Sequence, residues 1–264
     1  MPTVLSAQHP LHVETTGDDR RPALLLLNPL GTTLEVWDPL VEEFASRNWV
    51  IRFDTRGHGR SAHSVGAYEL GDLVADAIAV LDALEVPRTH IVGDSMGAMV
   101  AAVLASEYPD RVDSLVLSSV GVHLGTYDWW DETIQRVESG GMSAIVSHLD
   151  DIFFSEAWKE AVPDLLEQAT QMLLAVDPKT YLAGARMLRD ASLEGFEERI
   201  RATTLLIGGQ DDPVFQHFPI TDLLSMIPGS EAVHVEGARH RVLLEQPDLL
   251  APLINEFLSD PDAR

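Results

Sequence analysis

Short apolar runs alternate with helix-length amphipathic stretches along this chain, and that alternation restricts the fold more than any other feature. Ala23–Leu27 and Val50–Phe53 are apolar runs of strand length, separated by an amphipathic stretch from Leu34 to Ser46. The order then repeats: a helical pattern at Leu70–Leu84, a β-like His90–Val92, a helix over Met96–Glu107 and a β-like Ser114–Leu117. Strands alternating with helices of this length imply parallel βαβ units, hence an α/β architecture with a doubly wound, mostly parallel sheet. From about Val122 to Arg199 the pattern is mostly helical, punctuated by Gly140-Gly141, Pro163 and Pro178. Alternation resumes with Thr204–Ile207, a helical stretch near Pro219–Met226, Glu231–Val235 and a closing helix around Pro247–Leu258. The expected organisation is a core domain formed by 1–121 and 200–264, with 122–199 inserted as a helical lid over the carboxyl ends of the strands.

Sheets of this kind bind ligands at the carboxyl ends of their strands, so residues just after each strand carry the most information. After the third expected strand comes Gly93-Asp94-Ser95-Met96-Gly97, a G-x-S-x-G pattern between a strand and a helix. The glycines admit close backbone approach at a tight corner, and a serine there projects its hydroxyl on strained dihedrals. Ser95 is thus a candidate nucleophile. A serine hydroxyl needs a base at neutral pH, usually a histidine oriented by a carboxylate, and this turn predicts the chain order serine, acid, histidine. Asp211 and Asp212 follow the apolar run of TTLLIGGQDDPV, and His240 lies in a loop in VHVEGARHRVLLEQP. Both stand after strands and in that order.

Leu26–Ser61, LLNPLGTTLEVWDPLVEEFASRNWVIRFDTRGHGRS, is close to the pattern N-x-L-G-T…W-D-P…D-T-R-G-H-G-x-S, and GDSMGA, WDETIQRVESGGM and GARHRVLLEQP follow in order. On these motifs the chain resembles the α/β-hydrolase superfamily, and within it the 3-oxoadipate enol-lactonase group. The resemblance implies Ser95 as nucleophile, His240 as general base and Asp212 as the acid. Asp212 is preferred to Asp211 because it lies three residues after Gly209 and precedes Pro213. It also implies an oxyanion hole made by the N–H groups of Met96 and Leu30, since Pro29, where most such hydrolases carry glycine, has no N–H. Trp130, Ile152 and Phe153 are the expected substrate-binding residues. In the lid register Ile152 falls at the position of the group's arginine and Phe153 at that of its tryptophan. The family's cation is therefore missing there, with Arg136, Arg186 or Arg189 left as other sources of positive charge.

Other residues invite chemistry less. Asp54-Thr55-Arg56-Gly57-His58-Gly59-Arg60 reads as a structural turn packed near the site; its glycine spacing does not form a phosphate loop. His58 and His63 lack the further ligands of a metal site. Asp94 either caps a backbone N–H, the favoured reading, or raises the basicity of His240.

Composition narrows the partners. Eighteen basic residues stand against forty-two acidic ones, a formal net charge of −24. Such a field repels phosphate backbones and anionic membrane surfaces, so nucleic-acid and membrane partners are not expected. There is no cysteine, hence no thiolate nucleophile or disulfide. The first nineteen residues, MPTVLSAQHPLHVETTGDD, have neither the basic start nor the apolar core of a secretory signal, and a cytoplasmic location is expected. The expected activity is hydrolysis of a carboxylic ester or lactone of a small, fairly apolar substrate through an acyl-enzyme, without metal or organic cofactor. Two alternatives stand beside it. One uses the same triad for perhydrolysis or carbon–carbon hydrolysis; the other is a small-molecule binding module with vestigial catalysis.

Overall fold

The computed structural model describes residues 3–6, 9–61, 66–216 and 220–259. Eight strands form one sheet: β1 (Thr3–Ser6), β2 (His9–Thr16), β3 (Ala23–Leu27), β4 (Trp49–Phe53), β5 (Thr89–Asp94), β6 (Val112–Ser118), β7 (Thr203–Gly209) and β8 (Glu231–Val235). Their spatial order is β1-β2-β4-β3-β5-β6-β7-β8. The pairings from β4 through β8 are parallel, and β1 and β2 add an antiparallel edge. The six strands expected from apolar runs are the six parallel ones. β1 and β2 are additions. β2 buries Leu11 and Val13 while its intervening residues stay more exposed, a period of two too short to stand out in a polar segment.

Helices cover both faces of the sheet. On one face pack α2 (Leu70–Ala83) and α3 (Met96–Glu107), on the other α1 (Asp38–Ala45), α10 (Val242–Glu245) and α11 (Pro247–Ser259). α3 is buried on every side from Met96 to Ser106, which explains why its sequence is apolar without a stripe. The amphipathic stretch from Leu34 to Ser46 is two elements, a 3₁₀ turn Leu34–Trp37 followed by α1. Pro39 stands in the first turn of α1, where its fixed φ and missing N–H cost least, and so marks the start of that helix. Between β6 and β7 the chain forms α4 (Tyr127–Gly140), α5 (Val146–Phe153), α6 (Glu156–Ala161), α7 (Pro163–Ala175) and α8 (Pro178–Asp190). α9 (Ile220–Met226) precedes β8; Pro219, where that helix was expected to begin, lies outside the described residues, as does His63. No helix among the described residues is long and apolar enough to cross a membrane.

Two loops at the carboxyl ends of β3 and β4 are fixed to one another by side chains whose own positions are buried. Asn28 donates from Nδ2 to the Phe53 carbonyl at 2.8 Å and accepts the Trp37 indole N–H at 2.7 Å. Asp54 accepts the N–H groups of Leu34 and Arg60, each at 2.8 Å. Arg56 forms a two-point ion pair with buried Asp76, at 2.6 and 2.8 Å. His58 accepts the Gly31 N–H on Nε2 at 3.2 Å, while its Nδ1 lies 3.2 Å from the Arg56 carbonyl, which places the proton on Nδ1. Each polar side chain of the D-T-R-G-H-G turn that makes these contacts thus binds backbone or a buried partner, as a structural turn should.

His58 is fully enclosed, and burial pushes its pKa down from 6.5 to about 4. Between those values the unfolded chain binds a proton that the folded chain refuses, so stability falls as pH falls through that window. The full effect is about 3 kcal/mol. Urea titrations at pH 7 and pH 4.5 should show a smaller loss of stability on acidification for His58→Gln than for the wild type. Equal losses would mean that His58 is not held neutral.

Candidate active site

Ser95 sits at the corner between β5 and α3 with φ 55° and ψ −114°, a left-handed conformation costly for a residue with a side chain. Backbone bonds hold the corner: Ser95 N–H donates to Ser118 O at 2.9 Å, and Ser95 O accepts from Ala98 and Met99 at 3.0 and 3.2 Å. Close packing demands the second glycine, because a Cβ on Gly97 would fall on the Leu27 carbonyl.

The corner delivers the serine hydroxyl to a histidine. Ser95 Oγ lies 3.0 Å from His240 Nε2, and His240 Nδ1 lies 2.8 Å from Asp212 Oδ2. All three residues are buried. Asp212 is further fixed by accepting the Val214 N–H on Oδ1 at 2.9 Å, whereas Asp211 is exposed. Leu30 lines the same cavity as Ser95, and Met96 follows Ser95 directly. The N–H of the next loop residue, Gly31, is already given to His58.

A cavity lies over Ser95. Trp130 and Phe153 line it; Ile152, half-buried on α5, does not. Trp130 is anchored by its indole N–H to the Leu124 carbonyl. The Phe153 ring stacks on the His240 imidazole, with centroids 5.5 Å apart and planes at 26°. Apart from Ser95, His240 and Arg241, the lining is aliphatic or aromatic.

A cation does stand in this cavity, and it is none of the three arginines considered from the sequence. Arg136, Arg186 and Arg189 pair with Glu132, Glu138 and Asp131 on exposed surface. Arg241, the neighbour of His240, supplies it instead. Its Nη1 lies 3.2 Å from Asp94 Oδ2, and its guanidinium lies 4.8 Å from the centre of the Phe153 ring. Asp94 therefore forms an ion pair rather than the helix cap expected of it. Burial pushes the Asp94 carboxyl up, against the pull of Arg241 and His240; burial likewise pushes the Arg241 guanidinium down, against Asp94. Among the described residues no three His, Cys, Asp or Glu side chains converge on a point where a metal ion would sit.

Two further positioning groups left no sequence signal. Ser119, after β6, also has a positive φ of 54° and donates its hydroxyl to the His240 carbonyl. Glu245 is buried and accepts the Arg239 N–H at 2.6 Å on one oxygen and both the N–H and hydroxyl of Ser155 on the other. It ties the histidine loop to the segment between α5 and α6. The Arg241 N–H adds a bond to the Phe153 carbonyl at 3.0 Å. The sequence marks Arg241 only as the neighbour of His240.

Removing one partner of a buried ion pair strands the other charge, a loss of about 3–5 kcal/mol. Asp94→Asn should lower the unfolding free energy by about 3 kcal/mol, and Asp94→Asn with Arg241→Met should recover most of it. Chemical denaturation of both variants measures this; a silent Asp94→Asn would show that the pair carries no such strain.

Comparison with known proteins agrees with this geometry. The sequence profile described as alpha/beta hydrolase fold matches residues 22–247. A 3-oxoadipate enol-lactonase from Acinetobacter baylyi is 31% identical over 204 residues, covering 77% of this chain and 76% of that protein. The crystal structure of the enol-lactonase from Burkholderia xenovorans superimposes with a TM-score of 0.93 at 26% identity, over 98% of this chain and all of the other. A hydrolase from Pseudomonas aeruginosa is 31% identical with a TM-score of 0.89, over 98% of each chain. The chain belongs to the alpha/beta hydrolase fold family and is a hydrolytic enzyme.

Proposed function

We propose that this enzyme cleaves the carboxylic ester or lactone bond of a small, fairly apolar substrate through an acyl-enzyme on Ser95. The observation that carries this reading is the hydrogen-bonded line from Ser95 Oγ through His240 to Asp212, at 3.0 and 2.8 Å, opening on an apolar cavity. His240 Nε2 takes the proton as Ser95 Oγ attacks the ester carbonyl, and Asp212 holds the imidazole in the required tautomer and stabilises the imidazolium. The developing oxyanion is received by the N–H groups of Leu30 and Met96. Collapse of the tetrahedral adduct expels the alcohol with the proton from His240. A water activated by the same imidazole then releases the acid. This chemistry needs no metal or organic cofactor. Residues 122–199 act as the lid, with Trp130 and Phe153 bringing apolar surface to the substrate.

The likeness to enol-lactonases supports an ester or lactone bond. The preference for an uncharged substrate has a separate support. Arg241 is already neutralised by Asp94, so a substrate carboxylate would have to displace that partner.

A fluorophosphonate probe read by intact mass should place one adduct on the wild type and none on Ser95→Ala or His240→Ala. A folded wild type that stays unlabelled would overturn the reading. On an ester that the wild type turns over, Asp212→Asn should lower kcat about 10³–10⁴-fold, as loss of the orienting carboxylate does in triads of this kind. Asp211→Asn should remain within a few-fold of wild type. A loss confined to Asp211→Asn would reassign the acid.

A further inference from the structure

A second cavity adjoins the one over Ser95. Leu30, Phe153 and Arg241 line both cavities and so form the wall between them. Beyond the wall the outer chamber runs between the loop after β3 and α7, whose half-buried Leu165, Ala169 and Met172 line it. Phe154 and Trp158, stacked at 4.4 Å and 11°, also line it. These are the surfaces an aliphatic chain would meet.

Charge in the chamber selects against an anionic guest. Its acidic groups are Glu35, Asp38 and Asp150, and its one basic side chain is Arg241. Glu35 pairs with Arg60 at 2.8 Å and Asp38 with Arg52 at 2.5 Å, while Arg241 belongs to Asp94. Asp150 stands near Asp151 as well as Lys159, so the unbalanced charge of the chamber is negative. Among the described residues lining the chamber, a carboxylate on the guest would find no unpaired cation.

The wall has two members held by polar bonds and one held by ring contacts alone. Leu30 belongs to the loop pinned through Asn28 and His58. Arg241 is held by Asp94 and by its own N–H to the Phe153 carbonyl. The Phe153 ring is half-buried and is placed by stacking on His240 and Arg241, with no polar atom to anchor it.

We propose that the outer chamber is a subsite for an unbranched, uncharged apolar arm of the substrate, admitted past the Phe153 ring. The substrate class is then a medium-chain ester, or a lactone bearing an alkyl arm, rather than a compact one. The proposal rests on Ser95 acting as the nucleophile.

The test uses two matched series on the full-length enzyme: p-nitrophenyl acetate, butyrate, hexanoate and octanoate, and methyl to octyl acetates. Each buried methylene strengthens binding about fourfold, so kcat/KM should be at least about tenfold higher for the longest member than for the shortest in one series. A rise in the acyl series assigns the arm to the acyl side, and a rise in the alkyl acetates assigns it to the alcohol side. Ala169→Trp, which fills the chamber, should collapse that ratio to near one; Gln168→Trp, on the same lining, is the second variant should the first not fold. Fluorophosphonate labelling identifies variants with an intact serine centre. A ratio near or below one in both series with wild type, or a raised ratio that survives in a labelled, filled variant, overturns the subsite while leaving the hydrolase reading standing. A wild type that takes no fluorophosphonate overturns both.

Discussion

The backbone at Ser95 bears the demand that the neighbouring elements satisfy. A φ of 55° on a serine is unfavourable by itself, and it persists only where the surrounding contacts over-determine it. Here β5 is paired on both sides within the parallel sheet, and α3 is enclosed on every face. Gly97 lets the start of that helix approach the Leu27 carbonyl more closely than any side chain would allow. The same close approach brings the loop after β3, with Leu30, to the cavity over the serine. Sheet, helix and loop therefore converge because the corner is tight.

A second constraint is electrostatic. The chain carries a net charge of −24, yet several of its carboxylates are buried near the site. Each has a specific partner: Asp212 has His240 and the Val214 N–H, Asp94 has Arg241, Asp54 has two backbone N–H groups, and Glu245 has Arg239 and Ser155. Buried carboxylates without such partners would protonate or destabilise the fold. Their partners lie on different elements, so satisfying them also fixes those elements against one another. Glu245 is the clearest instance, since it joins the loop carrying His240 to the helical segment above the site.

In the proposed reading, chemistry and selectivity come from different parts of this arrangement. The serine, histidine and aspartate are carried at the ends of β5, β8 and β7, on the rigid sheet. The apolar lining of the cavity comes largely from the segment between β6 and β7 and from the loop after β3. Arg241 bridges the two. It follows His240 in sequence, but its guanidinium is oriented by Asp94 and covered by Phe153. Substrate preference can thus change through the helical segment while the hydrogen-bonded line to Ser95 stays as it is.

Local order was the legible part of the sequence. Apolar runs and amphipathic stretches located the six parallel strands and the helices on both faces, because burial imposes its period on adjacent residues. The G-D-S-M-G corner marked Ser95, and the chain order marked His240 and the aspartate pair. The motif spacing favoured Asp212, whose Oδ2 lies 2.8 Å from His240 Nδ1. The sequence did not disclose β2, whose alternation spans too few residues, nor that Ile152 would lie off the cavity lining. Nor could it disclose the Arg241–Asp94 pair, the Ser119 contact with His240 or the Glu245 contact with Ser155, which join residues 147, 121 and 90 positions apart. Contacts at such separations impose no period or spacing on a single chain. They exist only after the sheet has placed the ends of β5, β6, β7 and β8 side by side, and the folded packing alone decides which charge meets which.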